Sequence, residues 1–186
     1  MRGAFPVRQT KTGTPGFTKV FPIVNKTTLR DAVLQELRQE LARQSAAAAL
    51  ARDEAISEES RAENKWDTHS QEAAYLAEGQ AKLALEIGSS IALYETLPLP
   101  DFGAGATIGL GAVVELAADG SGNGPRACYF LGPRAGGLEV SVEGRKILVV
   151  TSQSPIGRQL LGKQVGDAVP SSGRGAGETQ RIATVE

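Results

Sequence analysis

Ser154-Pro-Ile-Gly-Arg-Gln-Leu-Leu-Gly162 restricts the fold of this chain most tightly, because the start, the face and the stop of one element are all written into it. Ser154 is a good N-cap, and Pro155 suits the first helical position, where its missing amide proton is not needed. Gly162 can take the left-handed conformation that ends a helix. The spacing predicts a short helix from about Pro155 to Leu161, with Ile156, Leu160 and Leu161 as its apolar face and Gly157 and Arg158 pointing elsewhere. Lys146-Ile-Leu-Val-Val-Thr151 upstream is β-branched and apolar, and Val165-Gly-Asp-Ala-Val169 downstream turns into a strand. The unit reads strand, short helix, tight turn, strand.

Far from this unit the period changes from two to between three and four. Thr28-x-x-Asp31 is a capping-box-like start, with Asp in place of the usual Glu or Gln, and Leu34, Leu37 and Leu41 follow before the seam thins to Ala48, Ala51 and Ala55. A second stripe, Ala73, Leu76, Leu83, Ile87, Tyr94 and Leu97, runs until Pro98 and Pro100 stop it. Neither stripe can be buried alone, so the pattern predicts an antiparallel helical hairpin. Its first helix, some 28 residues long, would reach on the order of 40 Å at about 1.5 Å per residue. Between the stripes, Glu58, Glu59, Glu63 and Asp67 crowd together with Arg61 and Lys65. This segment reads either as a solvated charged loop or as oxygen ligands that a long stalk carries to a hard cation such as Mg²⁺. Trp66 beside them reads as an anchor for a partner or as packing across the helix turn.

Bulk properties exclude several classes. With 186 residues the chain makes one or two small domains, and a formal net charge of −1 supplies no global basic field to hold nucleic acid by its phosphates. Direct sequence-specific nucleic-acid binding is therefore disfavoured. The one cysteine, Cys128, excludes an internal disulfide framework, and no apolar run approaches the length of a membrane span, so the expected compartment is the cytoplasm. His69 is the sole histidine, which rules out a two-His zinc site and leaves a Cys128–His69 nucleophilic pair without support. Gly103-Ala-Gly-Ala-Thr-Ile-Gly-Leu-Gly111 lacks the spacing of a dinucleotide loop and precedes a strand. Residues 1–23 have no period, are broken by Gly and Pro, and read as a disordered tail.

The order V-x-T-x-x-S-P-I-G-x-x-L-L-G-K-x-V-G-D-x-V resembles the C-terminal domain of the bacterial Gre transcript cleavage factors. The resemblance implies an FKBP-like antiparallel β domain with one short helix, docked at the rim of the RNA polymerase secondary channel through the Ser154-Pro155 end of that helix. Ile108 to Leu116 resembles the family's first strand, and Ala127 to Gly132 its returning strand. Ser60-Arg-Ala-Glu-Asn-Lys-Trp-Asp67 is similar to the family's tip sequence D-L-K-E-N-A-E-Y. Glu63 and Asn64 fall on its E-N, and Ser60 falls where the first Asp belongs. A neutral hydroxyl cannot replace a carboxylate that ligates a metal, and the adjacent Glu59 points about 100° away on a helix. The resemblance thus implies tip carboxylates Glu63, Glu59 and Asp67, with Asn64 and Trp66 beside them. No metal is held by this chain alone; a Mg²⁺ would be shared with the polymerase at Glu63. Ala62 to Thr68 with Glu72, Tyr75 to Ala77 and Gly79 to Ala81 resembles a short Gre-like subgroup. Val24-Asn-Lys resembles the natural start of such proteins, which makes residues 1–23 an extension expected to lie outside the functional chain.

The expectation is an α+β protein: a tail over residues 1–23, a coiled-coil hairpin over 24–99 and a Gre-type FKBP-like domain over 100–186, closed by an edge strand at Thr179 to Val185. It is expected to be a monomeric, non-enzymatic partner of RNA polymerase with no catalytic residues of its own. The rival reading is a general protein-interaction module whose acidic loop only solvates it. Prolyl isomerisation by fold analogy stands third, since the domain offers only Tyr129, Phe130 and Phe102 to line an aromatic pocket.

Overall fold

A computed structural model describes residues 24–56, 69–103, 105–118, 126–170 and 179–186. It is an α+β fold. Two long helices, α1 (Lys26–Ile56) and α2 (His69–Glu95), precede strands β1 (Val113–Ala118), β2 (Arg126–Leu131), β3 (Glu139–Val142) and β4 (Arg145–Val150). The short helix α3 (Pro155–Leu160) follows, then β5 (Ala168–Pro170) and β6 (Thr179–Val185).

The strands form one six-stranded sheet in the order β3-β4-β2-β1-β6-β5. Its pairings are antiparallel except for β2 with β4, which run parallel from Tyr129↔Leu148 to Leu131↔Val150. The wholly antiparallel sheet anticipated from sequence is therefore mixed. The cause is the chain after β2, which carries β3 to the outer position so that its hairpin partner β4 lies beside β2. The expected edge position of Thr179–Val185 also changes: β6 is interior, because β5 pairs along its outer side from Ala168↔Arg181 to Pro170↔Thr179.

Side chains alternate across this sheet, as the pleat requires, and both faces are covered. On one face Val113, Phe130, Ile147 and Val149 meet Leu29, Val33, Leu37, Tyr94 and Leu97 of the hairpin root in a single buried cluster. On the other, Val114, Leu116, Leu131, Val150 and Ile182 pack under Leu160 of α3 and Ile108. Burying a side chain as large as Phe130 stabilises by about 1.5–3 kcal/mol relative to exposure.

The anticipated cap of α3 is present. Gly157 N–H donates to Ser154 Oγ at 3.1 Å, Pro155 occupies the first turn, and Gly162 stops the helix at φ +78°. The helix face differs from the expectation. Leu160 is buried and Ile156 partly so, but Leu161 is 49 % exposed, and Gly157 points inward instead of away. A Cβ on Gly157 would stand 1.9 Å from the Thr151 carbonyl oxygen, so only glycine lets the helix sit this close to the end of β4.

Helix α1 begins earlier than its capping-box pattern suggested. Asn25 is the cap: its Oδ1 accepts from the N–H groups of Thr27 and Thr28 at 3.0 and 3.1 Å. The helices lie side by side and antiparallel, as anticipated, with Arg38 bonded to Glu95 at 2.8 Å near the sheet and Leu41, Ser45 and Ala48 facing Gly88, Ala84 and Ala81 farther out. Ile87, Tyr94 and Leu97 of the second stripe are buried, whereas Leu83 is 40 % and Leu76 56 % exposed. At 100° per residue those two leucines stand roughly 60° off the line through Gln80, Ala84 and Ile87, which forms the actual seam. Among the described residues, no helix is long and apolar enough to cross a membrane.

The hairpin is also clasped to the sheet where it begins. Val24 N–H donates to a Glu186 carboxylate oxygen at 2.8 Å, and Glu186 in turn exchanges backbone hydrogen bonds with Val113. The Lys26 ammonium bonds the Pro100 carbonyl and lies 5.0 Å from the centre of the Phe102 ring. Partial burial holds the Lys26 pKa below its ordinary value, against the opposing pull of Asp101 and Glu186.

Candidate functional site

The sequence points to two ends of the molecule, the Ser154-Pro155 corner and the acidic segment between the long helices. At the first, β4 delivers the chain into a turn that the Ser154 hydroxyl closes twice. It donates to the Thr151 carbonyl at 2.8 Å while accepting from Gly157 N–H. Both roles of that hydroxyl are thereby used inside the turn, so Ser154 shapes the corner and the exposed Pro155 presents it.

Beside this corner lies a cleft of about 370 Å³ that sequence reasoning did not find. Glu86, Ile87 and Ser90 of α2 form one wall; Arg134 and the turn residues Ser152 and Gln153 form the other. Tyr94 ties α2 to the Arg134 wall. Its hydroxyl donates to the Arg134 carbonyl at 2.7 Å and fills the space that any side chain on Gly132 would need, 2.1 Å from where a Cβ would stand. Burial raises the Tyr94 pKa, so the phenol stays protonated and remains a donor. The cleft is assembled from four separated segments, Leu37 of α1 among them, and only the tertiary fold brings them together.

The described part of the sheet holds one buried carboxylate, Glu115, bridged by Arg126 and Arg145 at 3.1 Å each. Arg145 also reaches Cys128 Sγ at 3.7 Å. Burial pushes the Cys128 thiol up to about 11 despite that guanidinium, which leaves it protonated and a poor nucleophile at neutral pH. This cluster serves the sheet.

Glu59, Glu63, Asn64, Trp66 and Asp67 lie within residues 57–68, outside the described residues. What is fixed is where that segment attaches: it joins Ile56 to His69, the ends of α1 and α2 remote from the sheet. A helix of 31 residues spans about 45 Å at 1.5 Å per residue.

Neither a family model nor a curated protein matches this chain. Solved structures do. The GreA factor homolog 1 (Gfh1) of Thermus thermophilus is 23 % identical over 82 % of this chain and 94 % of its own, with a TM-score of 0.34. Gfh1 of Thermus aquaticus is 21 % identical over 88 % of this chain and 96 % of its own, again at 0.34. The likeness is distant and lies at the level of the fold.

Proposed function

We propose that this chain is an RNA polymerase-binding protein of the transcription elongation factor type, without catalytic residues of its own. The observation that carries the reading is the division of labour along the chain. A two-helix stalk about 45 Å long, rooted in the sheet, ends in the segment that holds Glu59, Glu63 and Asp67, while the opposite end offers a stiff capped corner at Ser154-Pro155. The corner with its adjoining cleft docks on the rim of the secondary channel, and the stalk enters the channel. There Glu63, with Glu59 and Asp67, meets the polymerase's Mg²⁺, changing elongation or transcript cleavage by occupancy and charge. Oxygen donors suit that hard cation.

Capture of core RNA polymerase by the purified chain tests docking, and Pro155→Asp is expected to weaken that capture at least tenfold. Cleavage by backtracked complexes, compared between wild type and Glu63→Ala, tests the tip. No capture of polymerase, and no change in cleavage with either protein, overturns the proposal.

A second reading has its own support. Leu50, Tyr75 and Leu85 along the stalk are each more than 70 % exposed, which suits a hairpin that binds some other protein. Loss of polymerase capture by a Leu50→Ser, Tyr75→Ser, Leu85→Ser variant would set that reading aside, because the exposed side chains would then serve the polymerase.

A further inference from the structure

Tight packing stops part-way along the hairpin. On α1, Leu29, Val33, Leu34 and Leu37 are buried, and beyond them Ala51 is the one described side chain that is. On α2, Tyr94, Ser90 and Ile87 are buried, and no described side chain between His69 and Glu86 is. The outer interface instead holds Ala48, Ala81, Ala84 and Gly88 along an open groove of about 830 Å³. Gln80 adds to this looseness, its side-chain oxygen shielded from solvent without a hydrogen-bond partner.

The boundary is also where α2 is weakest as a helix. Gly88-Ser89-Ser90 interrupts a run of good helix formers, and both hydroxyls bond back to the carbonyl one turn earlier, Ser89 to Leu85 at 3.0 Å and Ser90 to Glu86 at 2.9 Å. Serine back-bonding of this kind loosens and bends helices, and Gly/Ser pairs are recognised kink sites. Packing does not require the glycine: a Cβ on Gly88 would meet nothing within 4 Å, and the same is true of Gly79 farther out. Both residues lower helix propensity where the structure has room for alanine. Opposite Gly88, α1 offers Leu41, Ser45 and the alanine run from Ala46 to Ala49, which supply little bulk to lock a register.

We propose that the hairpin is divided at Gly88–Ser90 into a root that is part of the sheet's core and an outer arm that opens and recloses as a separate cooperative unit. The arm comprises α1 from about Arg43 to Ile56 together with α2 from His69 to Glu86, the last residue before the buried Ile87. In the free protein its two helices part and re-form along the groove that they themselves line, from Ser45 and Ala48 on α1 to Ala81 and Leu85 on α2, with the soft point as the hinge. A partner that grips both helices orders it.

Native-state hydrogen exchange on the whole chain tests this. Amides of both arm helices are expected to exchange about a hundredfold or more faster than those of Leu29–Leu37, β2 and β4, with one common dependence on denaturant. Gly88→Ala and Gly79→Ala, each on α2, are expected to slow exchange about fivefold across the arm, α1 included, and to leave the root unchanged. Uniform protection from root to tip overturns the proposal. So does a slowing confined to α2, because the arm would then not open as one unit.

Discussion

One helix, α2, lives in two environments. Around Tyr94 it is held on every side: the ring is fully buried beside Phe130, centroids 6.4 Å apart, and the hydroxyl reaches the Arg134 loop. Around Tyr75 the same helix has its ring 73 % exposed and alanines at its seam. The difference teaches that this hairpin is not a free-standing coiled coil with a β domain attached. Its root is a layer of the β domain, and the remainder is a projection supported from one end.

Substitutions can break that contrast. Phe130→Ala removes the ring shared by sheet and root and is expected to cost about 3–5 kcal/mol. Circular dichroism of helix and near-ultraviolet signal of the core should then melt together, and a root that keeps its helix while the sheet unfolds would separate the two. Glu115→Ala strips the carboxylate from between Arg126 and Arg145 and is expected to destabilise by about 3 kcal/mol in chemical denaturation.

The contrast also has a signature in pH. The Cys128 thiol is raised from 9.0 to about 11 by burial, so between those values the folded chain keeps a proton that the unfolded chain has lost. Stability should therefore fall as pH rises from 9 to 11, and Cys128→Ala should flatten that slope. The smallest effect belongs to the arm: Leu85→Ala, at 73 % exposure, is expected to leave the melting curve within about 0.5 kcal/mol of wild type. A larger loss would mean that Leu85 is covered in solution.

How much of this was legible in the sequence depends on how local each signal was. The α3 cap was readable because Ser154, Pro155 and Gly162 act on their own backbone. The inward turn of Gly157 was not, since what forbids a side chain there is the Thr151 carbonyl oxygen, placed by the end of β4. The hairpin was readable from its leucines. The exposure of Leu76 and Leu83 was not, because a few tens of degrees separate seam from flank and alanines can supply the seam. The parallel pairing of β2 with β4 and the interior position of β6 depend on crossovers, which leave no mark in strand composition. The cleft at Arg134 joins four segments that only tertiary folding brings together, and the acidic segment, residues 57–68, lies outside the described residues.

The margins of the sheet carry a last consequence. β3 spans four residues, and β5 spans three and ends in Pro170, which has no amide proton to offer. Borders so brief give an incoming extended peptide almost no ladder to continue, which guards the protein against strand-by-strand aggregation. Since both broad surfaces are already roofed, recognition is left to corners, turns and the flanks of the long helices.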